Sequence, residues 1–299
     1  MHGSAASQTY DYGLVESVTS IPSDLDEDEV YLVVRRTINS VEKRYIERLS
    51  PLNFGSDVSN AIFVDSSLSF TGVTSTLSSE INTTATTVPL ASSSDFASSG
   101  AVRIGTEIIT YTGNSTNQLT GCTRAVAGTA ATHASGATVT QAVNQFSNLH
   151  HMEGQVVSIL GDGSTHPDVT VSSGVITLTR YVIKAHVGLN YTSTLKTMRI
   201  EAGSTDGTAQ GKVKRLQHAT LRLFRSVGVK IGQSDTLTDV VPFRSSAYKM
   251  DQAITLFTGD KQIEFDSGFD TDGFVTVVQD QPLPLTLLGI YVRLQTWDP

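Results

Sequence analysis

The residues Leu149–Arg225 decide the reading of this chain. They open with LHHMEGQVVSILGDGSTHPDVTV (149–171), pass through HVGLNYTSTLKTMRIE (186–201) and close on TAQGKVKRLQHATLRLFR (208–225). Val156, Ile159, Val169, Val171, Val175, Ile176 and Leu178 arrive in short apolar runs. Gly161-Asp162-Gly163 and Ser172-Ser173-Gly174 separate those runs with turn chemistry. Short β-prone runs at this spacing predict antiparallel strands assembled into a sheet, sandwich or barrel. Val213, Leu216, Ala219, Leu221 and Leu223 predict a further strand.

Working outward, Val30–Arg36 is β-branched and apolar, and Lys43–Leu49 follows it across Asn39-Ser40. Val41, Tyr45 and Leu49 also fit a helical stripe, but the short β-prone first run favours a hairpin. Its charged residues, Arg35, Arg36, Lys43, Arg44, Glu47 and Arg48, are expected on a polar face that forms intermolecular salt bridges or is solvated. NAIFVDSSLSFTG (60–72) reads as two short strands around Asp65-Ser66-Ser67. The acidic run 24–29 lacks the Gly and distal Glu of a calcium loop and reads as a solvated turn.

Composition then shifts. Residues 75–141 are rich in Ser, Thr, Ala and Gly, and Arg103 and Arg124 are their only basic side chains apart from His133. Strand signals persist at Thr87–Leu90, Ala101–Ile104, Glu107–Thr112 and Ala137–Val139. Turns are expected at 98–100, Gly113-Asn114 and 134–136. Towards the C-terminus, 203–207 reads as a turn and 226–262 has no clear pattern. Gln262–Phe265, Phe274–Gln279 and Leu283–Leu294 read as closing strands, the first two joined at Thr271-Asp272-Gly273. Pro282 and Pro284 suit a strand entrance or an edge.

The chain has 299 residues, 39% of them hydrophobic and 17% charged, with a net charge of −8. That length accommodates two or three cores, and the composition is that of a folded, loop-rich protein. The single cysteine, Cys122, excludes an internal disulfide and reads as a small packed residue. No apolar run of about 18 residues is present, so no membrane span is expected. Residues 1–19 read as a tail or expression remnant without the features of a signal peptide. An acidic balance argues against a protein that grips nucleic acid.

Catalytic signals are weak. His150, His151, Glu153, Asp162, His166 and Asp168 form the one cluster rich in metal-ligand types, but they lack the His-Glu-x-x-His spacing. They read as structural, with His150 and His151 on opposite faces of a strand. Asp266, Asp270 and Asp272 are the nearest candidates for paired glycosidase carboxylates and read as turn acids. Neither a nucleophile elbow nor a phosphate-binding or dinucleotide loop occurs. No catalytic residue, cofactor or metal is assigned.

Several phrases in combination resemble the C-terminal part of the tail nozzle proteins of short-tailed bacteriophages, the tail tubular protein B type. They are EDEVYLVVRR (27–36), KRYIERL (43–49), VDSSLSFTG (64–72), the two stretches from 149 and 186, AQGKVKRLQHATLRLFRS (209–226), PFR (242–244), LFTGD (256–260) and QDQPLPLTLLGI (279–290). GTEIITYTG (105–113) and LTGCTRAVAGTAATHASGATV (119–139) resemble a small β-module inserted in phage tail and virion proteins. The resemblance implies a mainly β fold: an antiparallel sandwich- or barrel-like platform from residues 20–73 and 145–299, with a small all-β domain inserted at 74–144.

It further implies a non-enzymatic subunit of a six-fold ring in the virion tail, made in the bacterial host cytoplasm. Tail adaptor and fibre proteins would be its neighbours, and DNA would pass through its lumen without specific binding. The competing reading is a tail-associated protein that binds or degrades host-surface glycans, for which Tyr111 is the one aromatic platform near the centre of the module.

Overall fold

The computed structural model describes residues 13–23, 28–201, 211–234, 236–246, 253–265 and 268–297. It is a mainly β chain built from several antiparallel sheets, and every sheet among the described residues is an open order of strands. Two compact units divide it. One takes in Met1–Ser66, Gly163–Thr165 and Leu189–Pro299, the other Ser67–Asp162 and His166–Gly188.

In the first unit, β1 (Leu14–Ile21), β2 (Glu29–Ile38) and β3 (Val41–Arg48) pair antiparallel in that order. Asn39 and Ser40 turn the chain between β2 and β3 with φ of 51° and 61°. Two successive positive φ values match the twist of a two-residue hairpin, so the hairpin prevails over the helical stripe. Leu14–Thr19, expected in the N-terminal tail, lies in β1 and not in a tail. Most of the acidic run, residues 24–27, lies outside the described residues.

One short 3-10 turn, Val58–Asn60, is capped by Asp57, whose side chain accepts from the Ser59 N–H. The two strands expected around Asp65 are a single strand, β4 (Asp65–Thr71), with Asp65-Ser66-Ser67 as its first residues.

The second unit continues with β5 (Thr74–Thr76), β6 (Thr87–Pro89), β7 (Gly100–Ile104), β8 (Glu107–Tyr111), β9 (Gly113–Ser115), β10 (Gln118–Thr120), β11 (Thr123–Ala127) and β12 (Thr138–Phe146). Gly113-Asn114, expected as a turn, lies in β9; the positive φ of 54° falls instead on Asn117. One apolar cluster runs through Leu77, Val88, Leu90, Val102, Ile109, Tyr111, Leu119 and Val139, so residues 77–139 own a core. After the 3-10 turn His150–Met152 come β13 (Val156–Gly161), β14 (Ser164–Thr170), β15 (Ile176–Val182) and β16 (Lys184–Leu189).

The strand orders are β6-β10-β9, β11-β8-β7-β12-β15 with β5 also on β12, and β14-β13-β16-β4. Gly72 follows β4 where backbones crowd: a Cβ there would sit 2.1 Å from the Gln141 carbonyl oxygen, and its N–H donates to Ile183 O at 2.7 Å.

The first unit resumes with β17 (Ser193–Lys196), β18 (Val213–Ser226), β19 (Lys230–Gly232), β20 (Thr238–Val240), β21 (Phe257–Glu264), β22 (Thr276–Gln279) and β23 (Leu287–Trp297). They form two sheets, β17-β22-β19-β20 and β21-β18-β23. Leu216, Ala219, Leu221 and Leu223 of β18 share one apolar cluster with Val229, Ile231, Val275 and Val277 from the other sheet. The expected tight hairpin at Thr271-Asp272-Gly273 does not form: β21 pairs with β18, while β22 pairs with β17 and β19. The patternless 226–262 contains β19, β20 and most of β21, and 203–207 lies outside the described residues.

Leu221 is fully buried at the centre of this cluster. Leu221→Ala is expected to cost about 2–5 kcal/mol, read as a lower midpoint in urea at unchanged slope.

Candidate functional site

The densest polar network lies in the module with the fewest charges. Glu107 opens β8 and is only 1% exposed. Its Oε1 accepts from Arg124 Nε at 2.8 Å and from the Ala125 N–H at 3.1 Å. Its Oε2 accepts from Arg124 Nη2 at 2.8 Å, the Ala131 N–H at 3.2 Å and His133 Nε2 at 2.8 Å. An ionised carboxylate only accepts, so His133 must be the donor. Ala125 reaches its position with φ of 53°, at an irregularity in β11 that aims its N–H inward.

Burial alone would raise the Glu107 pKa. Arg124, His133 and the two backbone donors outweigh it and bring it down to about 2. Arg124 also donates to Ala131 O at 2.7 Å and to Asn82 O. Such a carboxylate has no capacity left for a substrate proton. It pins residues 124–133 to the sheet.

The sequence-predicted cluster around His150 does not converge. His150 and His151 stand in a 3-10 turn, not on a strand, and the His150 ring lies against Gly174. Glu153 accepts from the Ser173 and Gly174 N–H groups at 2.7 and 2.6 Å, closing the 172–175 turn. Asp162 Oδ1 accepts from the Ile183 and Lys184 N–H groups at 3.0 and 2.9 Å, and its Oδ2 binds Arg103 at 2.8 Å. His166 is buried, with Nδ1 at 2.7 Å from Pro167 O and Nε2 at 2.9 Å from Thr179 Oγ1. Asp168 accepts from Ser158 Oγ at 2.7 Å. Among the described residues no three His, Cys, Asp or Glu side chains group as a metal site.

Asp272 pairs with Arg199 at 2.8 Å, and Asp270 Oδ1 accepts from the Asp272 N–H at 3.3 Å. Asp266 lies outside the described residues. Tyr111 is buried in the module core with its O–H donating to Ala97 O at 3.3 Å, so it offers no stacking platform to a sugar. Cys122 is buried in the same core, its thiol pKa pushed up by that burial.

The charges of the first hairpin pair within one sheet. On one face Arg44 grips Glu16 at 2.6 and 3.1 Å, Arg35 reaches Glu42 at 3.0 Å, and Arg48 and the Tyr31 O–H reach Glu29 at 2.6 and 2.7 Å. Arg36 turns to the other face, is only 3% exposed and makes two 2.9 Å bonds to Glu47, with Asp65 at 3.8 Å. Burial works against the Arg36 charge, but Glu47 and Asp65 hold its pKa above the ordinary value. The polar face expected to make intermolecular salt bridges or to be solvated is therefore laced by intramolecular ones.

In comparisons with known proteins, no family model and no curated sequence matches this chain. The Glu107 network escaped the sequence reading because its members lie 17 and 26 positions apart. The available signal was a pair of opposite charges, Glu107 and Arg124, among the few charged residues of a Ser/Thr-rich module.

With its folded pKa depressed, Glu107 contributes stability that is full above its ordinary value of 4.5 and is lost as pH falls through about 2. That shift corresponds to about 3 kcal/mol. Glu107→Gln should lower the stability at neutral pH by at least that amount. It should also flatten the acid limb of the stability–pH curve, measured by urea denaturation between those two pH values.

Proposed function

We propose that this chain is a structural subunit of a short-tailed bacteriophage tail, part of a nozzle ring that forms the distal DNA-conducting channel. The observation that carries the reading is how the polar side chains are used. Glu107, Glu153, Asp162, His166 and Asp168 are each engaged with a neighbouring backbone or side-chain group, in a fold of stacked antiparallel sheets. This is the economy of an architectural protein, in which ionisable groups close turns and pin loops. The sequence phrases that resemble those of tail nozzle proteins suggest the particular architecture.

On this reading residues 20–73 and 145–299 build the sandwich-like platform, and 74–144 is the inserted module. The self-contained core of residues 77–139 supports the insertion. β12 runs on from that core to pair with β15, which explains why the flanking strands share its compact unit. Insertions of this size are tolerated at loop tips because closing a longer loop costs little. The subunit is made in the host cytoplasm, is carried in the virion, and meets adaptor and fibre proteins there.

Six copies would carry a charge of about −48, six times the −8 of one chain, and an acidic lumen repels phosphate and keeps DNA sliding. The glycan-binding alternative loses its central aromatic platform with the burial of Tyr111.

Negative-stain electron microscopy of the purified chain at high concentration is the test. Closed rings with a central hole wide enough for a DNA duplex are expected. Monomers alone, together with specific oligosaccharide binding, would replace this reading with the glycan one.

A further inference from the structure

Only Ile183 separates β15 from β16 in the chain, yet the two strands belong to different sheets. β15 ends the sheet that carries β7, β8 and β11, while β16 lies between β13 and β4. The chain therefore turns a corner at Ile183, from one sheet into the next. Its N–H donates to Asp162 Oδ1 at 3.0 Å, and its carbonyl accepts from the Gly72 N–H at 2.7 Å. Its side chain packs with Tyr181 against Ala101, Ile108 and Ala142. The Lys184 N–H donates to the same Asp162 oxygen at 2.9 Å, and the Asp162 N–H donates to Lys184 O at 2.8 Å. Asp162 follows β13 directly, with φ of 51°, and its Oδ2 accepts from Arg103 Nη1 of β7 at 2.8 Å. One carboxylate thus ties the end of β13, the β15–β16 corner and β7.

We infer that Asp162 is the key of a rigid joint, which carries the module 74–144 as a fixed arm on β13, β15 and β16. This rests on the division into module and platform proposed above, and on nothing about the ring. Domain boundaries normally fall in exposed linkers crossed by few contacts, and relative motion is then the default. Here both crossings are built into sheets. On the entry side Gly72 bonds to Ile183, and Val73 O accepts from the Gln141 N–H at 2.8 Å. On the exit side β12 passes through without a break: Val139–Ala142 pair with β7, and Val143, Gln145 and Phe146 pair with β15. The apolar contact draws Ala101, Ile108 and Ala142 from the module and Tyr181 and Ile183 from the platform. Paired strands still tolerate a range of twist. A charge-assisted contact from Arg103 to the carboxylate that clamps the corner selects one value within it.

The test is pulsed electron double resonance on the full chain, with spin labels at Thr116→Cys in the module and Thr177→Cys on β15, both exposed positions. Cys122 is buried and stays unlabelled, and dilution into unlabelled chain removes distances between copies. A single narrow distance distribution is expected while Asp162 and Arg103 are intact. Asp162→Ala should widen or split it, and so should Arg103→Met, which keeps the apolar stem and removes the charge. Amide exchange is followed at Gly72 and Gln141, whose N–H groups donate to Ile183 O and Val73 O and not to Asp162. It should rise about tenfold or more in Asp162→Ala, because the joint then opens apart from the cores on either side.

Several distances in the chain with Asp162 and Arg103 intact would overturn the rigid joint. An unchanged distribution in either variant would overturn Asp162 as its key, as would Gly72 and Gln141 amides that exchange no faster in Asp162→Ala. Should Asp162→Ala fail to fold, Arg103→Met decides alone. Each result is read within one copy and holds whether or not rings form, so the joint and the channel stand or fall separately.

Discussion

The alternation of β18 is the constraint on which the C-terminal sheets depend. Fourteen residues pair with β21 on one side and β23 on the other, so every backbone group in the middle of the strand is satisfied within one sheet. With both edges used, only its faces remain to be matched. Leu216, Ala219, Leu221 and Leu223 fill one face and must be covered by a second apolar surface. Short strands supply it: β19 and β22 are three and four residues long, too short to hold a sheet by themselves. They are ordered by packing onto β18, not by their own ladders. Irregularities beside Gln217, between Arg222 and Leu223, and at Phe224-Arg225, where Arg225 takes φ of 46°, break the register three times and let so long a strand twist.

Elsewhere the small sheets are pinned by buried charge. Glu107 and Arg36 are each almost inaccessible, and each is met by opposite charge with two-point geometry. Two parallel hydrogen bonds fix orientation as well as distance, which one apolar contact cannot do. Removing one partner leaves the other charge buried and unpaired, so such pairs make local structure all-or-none even where their net contribution is modest. In a module whose strands, β12 apart, are three to five residues long, that is how a loop such as 124–133 holds one conformation.

Where the signal was local, the sequence was legible. Asn39-Ser40, Asp162-Gly163 and Ser173-Gly174 mark turns because small or Asx residues tolerate positive φ, and each of the six has it. β18 was legible because alternation over many residues has one structural solution. Pairing was not legible. The Asp-Gly at 272–273 carries a hairpin's local chemistry, yet the strands on either side belong to different sheets, a choice made by distant residues of β18 and β19. The candidate polar site shows the same limit. Asp162 and Glu153 could be picked out by residue type, but only the fold reveals that they close turns. Glu107 gave no motif at all.

The hairpin charges show how far composition can mislead about surfaces. Arg35, Arg36, Arg44 and Arg48 within fourteen residues suggest a basic face. Cross-strand register instead sets Glu16, Glu29, Glu42 and Glu47 within reach of them, so the sheet carries little net field. The Arg44–Glu16 and Arg48–Glu29 pairs, like Arg222–Asp260, sit in water and add little stability individually. Their effect is on specificity. Guanidinium groups already held in two-point contact by carboxylates offer few free donors to a phosphate backbone, and neutral faces do not repel one another. In a chain of net charge −8, this sheet therefore carries charges that are largely paired with one another. Among the described residues the two outer edges of this sheet have no strand partner, and hydrogen bonding along a strand edge is set by strand geometry and not by charge.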